Sequence, residues 1–165
     1  RIGSRVAHHA AKGFEMKVLY YDVNRNEEFE KEFNAVYTPL DDLLKASDFV
    51  SIHVPLLPAT RHLISGEKLK LMKPSAYLIN TSRGPIIDEA ALSKALADKT
   101  IKGAALDVFE FEPKVTQELL SLDNVILTPH IASATEETRS KMSALAAENI
   151  VEALEGRVPP NILKN

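Results

Sequence analysis

The sequence contains no cysteine, which excludes disulfides, thiolate metal sites and a cysteine nucleophile, and places no demand for an oxidising compartment. It also lacks a surplus of positive charge. Twenty Lys and Arg stand against 23 Asp and Glu, mixed along the chain for a formal net charge of −3, so no basic field exists to hold nucleic acid or an anionic membrane surface. No apolar run approaches the ~20 residues needed to span a bilayer. The opening RIGSRVAHHAAKG has no apolar central region and does not read as a secretory signal. A cytoplasmic location is the simplest reading. What is present is an ordinary globular composition, 45% hydrophobic over 165 residues, sufficient for one compact domain with a substantial core and free of repeats or low-complexity segments.

Taken in order, the chain alternates helix-like and strand-like segments. The opening stretch reads as the end of a phosphate turn followed by a helix, opened at Ser4 and stopped at Gly13 by a left-handed cap. KVLYYD reads as a strand closed by Asp22, and VNRNEEFEKEF as a loop or short exposed helix. TPLDDLLKASD has helical spacing at Leu40, Leu43 and Leu44 and leads into a buried strand, FVSIHVPL, halted by Pro55 and Pro58. A short helix SGEKLKLMK, a strand AYLIN, a turn TSRGP and a helix capped by Asp88 follow, and then the strands IKGAALDVF and NVILTP. A last helix spans roughly residues 134 to 156, opened by the capping-box spacing of Ser133 and Glu136 and closed at Gly156. The strands are nearly all apolar rather than alternating. That pattern predicts a doubly wound α/β domain with a parallel sheet covered on both faces.

In such a sheet, ligands bind outside the carboxyl ends of the strands, so the acids that follow AALDVF (Asp107, Glu110, Glu112) and the histidine that follows NVILTP (His130) are expected in one crevice, together with Arg83. A dinucleotide site needs a glycine turn at the first helix N-terminus and an acid about 20 residues on. Gly3 and Asp22, 19 residues apart, supply the second half of that pattern; the first two glycines and the strand before them are not in the sequence. Gly3 as a loop residue and Asp22 as a plain strand-end acid is the competing reading. An acid facing the ribose favours NAD over NADP, although Arg25 nearby keeps NADP open.

With INTSRGP at Ile79 to Pro85, GAALDVFEFEP at Gly103 to Pro113 and LTPHIASAT at Leu127 to Thr135, the chain resembles the D-2-hydroxyacid dehydrogenases, most of all the glyoxylate and hydroxypyruvate reductases. The resemblance runs along essentially the whole chain. It implies a Rossmann-type domain without its first strand, over residues 1–156, with residues 157–165 returning toward a substrate domain outside this sequence. It implies hydride transfer between NAD(P) and a small 2-oxo acid, in a homodimer that uses no metal. By motif, Arg83 would bind the substrate carboxylate, His130 would be the acid/base and Glu112 its carboxylate partner. Arg1, Ile2 and Gly3 would contact the pyrophosphate; Asp22 the ribose; Asp107 the nicotinamide carboxamide; and His53, Pro55, Thr60, Thr81 and Ala132 would line the cofactor crevice. Ala132 stands where the family pattern usually has glycine.

The roles suit the residue types. A 2-oxo acid needs a proton for its carbonyl oxygen from a group titrating near neutrality, which imidazole supplies, while a planar guanidinium holds a carboxylate in two hydrogen bonds. Other histidines have plainer readings: His8 and His9, adjacent on a helix, diverge by about 100° and are expected at the surface or facing a partner, and His62 in a loop. Glu110 is expected to be a solvated charge, and Met142, Leu145, Ala146 and Ile150 to be core packing. Because the sequence begins inside the phosphate turn, it is expected to be part of a larger enzyme. A non-catalytic dinucleotide sensor of the corepressor kind and an inactive fragment are the alternatives.

Overall fold

The computed structural model of the chain describes residues 2–162, which fall into two compact units, Arg1–Pro129 and His130–Asn165. The first unit opens with helix α1, Ile2–His8, which continues as one wide π turn, His9–Gly13. The helix thus already includes Gly3 and does not wait for Ser4. The expected glycine cap is also displaced: the wide turn is closed by the Met16 N–H donating to the Ala10 carbonyl (3.0 Å), and the left-handed residue is Glu15 (φ 53°) rather than Gly13.

Strand β1 (Leu19–Tyr20) pairs in parallel with β2 (Val36–Tyr37). Between them the charged stretch forms α2, Glu27–Phe33, because Asn26 caps its start (Oδ1 accepts from the Phe29 N–H, 3.0 Å) and Asn34 ends it in the left-handed region. Its apolar side is not exposed. Phe33 is buried with Ala7 and Ala35, and Phe29 packs against the same small cluster.

The larger core surrounds a four-stranded parallel sheet in the order β3 (Phe49–Ile52), β4 (Tyr77–Asn80), β5 (Gly103–Leu106), β6 (Val125–Leu127). Helices α3 (Leu40–Ala46), α4 (Gly66–Leu69) and α5 (Glu89–Ala97) alternate with the strands, as the parallel connections require. Asp88 caps α5 as expected, accepting from the Ala91 N–H at 2.9 Å. Leu44, Leu69, Leu78, Leu92 and Leu96 are all at most 1% exposed, and burying each such side chain contributes about 1.5–3 kcal/mol. The fold is therefore α/β with parallel strands, and among the described residues no strand joins β1 and β2 to β3. The run FVSIHVPL departs from the expectation of full burial: β3 lies at a sheet edge, and Phe49 and Ser51 are exposed while Val50 and Ile52 are buried.

The second unit is built on α6, Glu136–Leu154. Its cap is Thr135, whose Oγ1 accepts from the Thr138 N–H (3.1 Å), two residues beyond the expected Ser133; Gly156 follows the helix with φ 76°. No residue of α6 is buried, which corrects the reading of Met142, Leu145, Ala146 and Ile150 as core: among the described residues the unit holds a single helix and no second element of its own to cover them.

Candidate active site on the carboxyl edge of the sheet

Parallel register places one residue from each strand in a row. Ile52, Asn80, Leu106 and Leu127 are mutual neighbours across the four strands, so the residues that follow them, His53, Thr81, Asp107 and Thr128, emerge side by side at the carboxyl edge. Asp107 is only 4% exposed and accepts a hydrogen bond from the Thr128 hydroxyl at 2.5 Å. The Ser51 hydroxyl meets His53 Nε2 at 2.8 Å, and burial lowers the His53 pKa, so the imidazole is neutral near pH 7. Thr81 is exposed. In the loop beyond β3, the Thr60 hydroxyl donates to the Pro55 carbonyl (2.7 Å) and accepts from the Leu57 N–H (2.8 Å), which fixes the loop's path.

The turn after β4 is shaped by a buried amide. Asn80 is wholly buried; its Oδ1 accepts from the Ser82 N–H and hydroxyl, and its Nδ2 donates to the Arg83 carbonyl, each at 3.0 Å. Arg83 is thereby turned outward and exposed. Gly84 then presses on the next turn: a Cβ there would lie 1.9 Å from the Phe109 carbonyl carbon and 2.5 Å from the Glu110 nitrogen. Only glycine permits that approach. On the far side, Glu112 Oε1 accepts from the Phe109 N–H at 3.0 Å. Arg83 and Glu112 consequently line one open cleft of about 540 Å³. A guanidinium and a carboxylate across such a cleft can orient an anionic substrate and stabilise a nearby cation.

Glu110 is not the solvated charge expected of it. Its side chain is 6% exposed, forms an ion pair with Arg61 (3.2 Å) and is hydrogen-bonded to His62 Nε2 (2.6 Å), because the backbone of this turn folds against α5 and the residue 61–62 loop. His62 is correspondingly a paired loop residue. His8, expected at the surface, sets its ring edge-on to Phe33 at 6.0 Å between centroids.

At the opposite end of the row, α1 approaches β3 so closely that a Cβ on Gly3 would stand 3.3 Å from His53 Cβ, which leaves open the space a side chain would fill. Ile2 is exposed at the head of α1, and Arg1 lies outside the described residues. Asp22 is exposed two residues beyond β1. Arg25, the residue that kept a 2′-phosphate open, is committed elsewhere: its Nε and Nη2 donate to the two oxygens of Glu30, both at 2.8 Å, and the Tyr20 hydroxyl donates to the same carboxylate at 2.7 Å. Those donors hold the Glu30 pKa down at about 2. A free acid at Asp22 beside an occupied arginine suits a ribose with free hydroxyls. The edge row and the Gly3 approach thus fit a dinucleotide.

His130 and Ala132 belong to the second unit, where both are exposed. His130 holds a left-handed backbone, φ 54°, a conformation that histidine adopts more readily than most non-glycine residues. Among the described residues, no group of three or more His, Asp or Glu is disposed to hold a metal ion, and no helix is long and apolar enough to cross a membrane.

The sequence pattern of the D-isomer specific 2-hydroxyacid dehydrogenase NAD-binding domain matches residues 1–132. The chain belongs to this family. It is 53% identical, over 164 residues, to the glyoxylate reductase of Korarchaeum cryptofilum, covering 99% of this chain and 49% of that protein. The apo D-mandelate dehydrogenase of Rhodotorula graminis superposes with a TM-score of 0.92 at 37% identity, covering 99% of this chain and 48% of its own. The NAD-complexed D-isomer specific 2-hydroxyacid dehydrogenase of Lactobacillus delbrueckii ssp. bulgaricus gives 0.87 at 38% identity, covering 99% and 53%. The chain spans about half the length of the curated relatives it matches. The NAD-binding dehydrogenase domain has the Rossmann-type arrangement that the alternating pattern predicts.

Two residues of this edge are not among those the motifs assign to the site. Asn80 closes the strand AYLIN, and a polar residue at the end of an apolar run, two before a serine, is an Asx-turn signal. Thr128, the hydrogen-bond donor to Asp107, stands near the end of the strand-like run NVILTP and carries no local signal of that contact.

Proposed function

We propose that the whole protein is an NAD-dependent oxidoreductase that interconverts a small 2-oxo acid, of the glyoxylate or hydroxypyruvate kind, and its D-2-hydroxy acid. The observation that carries this reading is the in-register row His53, Thr81, Asp107 and Thr128 flanked by the Arg83 and Glu112 cleft. NAD, when bound, supplies or accepts the hydride. The chain's own residues do the rest. Arg83, held outward by Asn80, clamps the substrate carboxylate and fixes the direction of its carbonyl. Asp107, kept in place by Thr128, accepts a hydrogen bond from the nicotinamide carboxamide. A neutral His53 adds no charge beside the dinucleotide. On motif grounds, His130 donates the proton to the substrate oxygen and Glu112 is the carboxylate that keeps the imidazole charged until then. Asp22 binds the ribose hydroxyls, with Ile2, Gly3 and Arg1 at the pyrophosphate and Ala132 beside the nicotinamide.

A cytoplasmic homodimer is the state expected of the whole protein. The experiment is NADH oxidation by the full-length protein with glyoxylate or hydroxypyruvate, wild type against Arg83→Ala. Loss of kcat/KM by about 100-fold, with the NADH Kd unchanged, is expected for a group that holds only the substrate. NADH binding without turnover of either oxo acid in the wild type would instead support the sensor reading.

A further inference from the structure

The roles above leave unused a pair of buried acids at the edge of the cleft. Glu89, 3% exposed, and Glu110 bond reciprocally across two elements: the Glu110 N–H donates to Glu89 Oε2 at 2.7 Å, and the Glu89 N–H donates to Glu110 Oε2 at 3.3 Å. Glu89 Oε1 takes a further N–H from Thr116 at 2.9 Å, while Glu110 Oε1 is met by His62 Nε2 and Arg61 Nη2. Removing two carboxylates from water is costly unless each is fully bonded, and these are. The arrangement joins four segments: the 61–62 loop, the start of α5, the turn after β5 and the approach to residues 117–121.

What it holds is informative. The braced turn, Phe109 to Glu112, carries the Glu112 carboxylate, and its backbone at Phe109 and Glu110 is the surface on which Gly84 packs, next to Arg83. We propose that Glu110 is a positioning residue for the dehydrogenase reaction: anchored by Glu89, Arg61 and His62, it fixes the Glu112 turn against the Arg83 turn so that both side chains face the substrate in one geometry. The inference rests on the dehydrogenase reading. Glu110 acts through the backbone of its turn and needs no contact with substrate.

The test uses the full-length protein with NADH and glyoxylate. Glu110→Gln keeps the length and an acceptor for the Glu89 N–H but removes the charge facing Arg61 and His62; Glu110→Ala removes both. Expected are falls in kcat/KM of about 10-fold for the first and about 100-fold for the second, with a raised KM for the oxo acid and an NADH Kd within about twofold of wild type. If Glu110→Ala does not fold, Glu110→Gln decides. A Glu110→Gln enzyme with kcat/KM within about twofold of wild type overturns the positioning role, as does a parallel loss of NADH affinity, which would mark a general support of the fold. Wild-type protein that binds NADH but turns over neither oxo acid overturns the dehydrogenase reading, and this inference with it.

Discussion

Replacing Asn80 tests how the turn before Arg83 is held. Its amide makes three hydrogen bonds at 3.0 Å from a wholly buried position, two through Oδ1 and one through Nδ2. Asn80→Ala removes all three and leaves the Ser82 N–H and the Arg83 carbonyl to find water; at about 1 kcal/mol net for each bond the cost is about 3 kcal/mol. For a domain of this size that lowers Tm by about 6–12 °C. Asn80→Asp is the sharper perturbation, because it is isosteric. It keeps the acceptor for Ser82 but replaces the donor to the Arg83 carbonyl by an oxygen, and it places an ionised group where no solvent reaches. At neutral pH it should therefore be at least as destabilising as Asn80→Ala. Acidification should reverse the order, since the protonated carboxyl can donate to the same carbonyl. The assay is thermal unfolding followed by circular dichroism at pH 7 and pH 5. Asn80→Asp as stable as wild type at pH 7, or Asn80→Ala losing less than about 1 kcal/mol, would refute the account of the turn.

Two further outcomes follow from the same physics. Gly84→Ala forces its methyl into the Phe109 carbonyl, so the Glu112 turn must retreat; the full-length protein should lose at least about tenfold in kcat/KM for the oxo acid while NADH affinity persists, and unchanged kinetics would contradict the close approach. Glu30 loses protons more readily in the folded chain than in the unfolded one, with a pKa of about 2 against 4.5. Its contribution to stability is therefore fully present above pH 4.5 and is lost as pH falls from 4.5 toward 2. Glu30→Gln should flatten stability across that window, measured by urea midpoints, and an unaltered acid limb would show that the Arg25 pair is inert.

How much of this was readable without coordinates depended on whether the signal was local. The alternation of helices with apolar strands predicted the parallel sheet, and Asp88 and Gly156 marked helix ends through their own backbone chemistry. Capping at Thr135 instead of Ser133 was a choice between neighbouring hydroxyl residues that only the backbone decides. The first helix ended differently because a π turn, which leaves no sequence signature here, moved the left-handed residue from Gly13 to Glu15. Motifs located Arg83 and Glu112, which the structure brings to one cleft. The misreading of Glu110 was instructive: two positions from Glu112 in a charged, proline-marked loop, it looked solvated, and its partners lie 48 and 49 residues away along the chain. Glu89 was hidden likewise among good helix formers. Long-range pairing of charges is invisible to periodicity. The apolar positions of α6 erred in the other direction, because a helical stripe reports a face that needs a partner without saying whether the partner is in the same unit.

The row at the carboxyl edge works as a ruler. Four parallel strands in unbroken register deliver His53, Thr81, Asp107 and Thr128 as graduations about 4.8 Å apart, a span of about 14 Å fixed by backbone hydrogen bonds rather than by the side chains themselves. Point substitutions on such a ruler alter one graduation and leave its spacing intact. A one-residue insertion within β4 does the reverse: it turns the following side chains to the opposite face and misaligns Thr81 and the whole Arg83 turn against an otherwise unchanged scale.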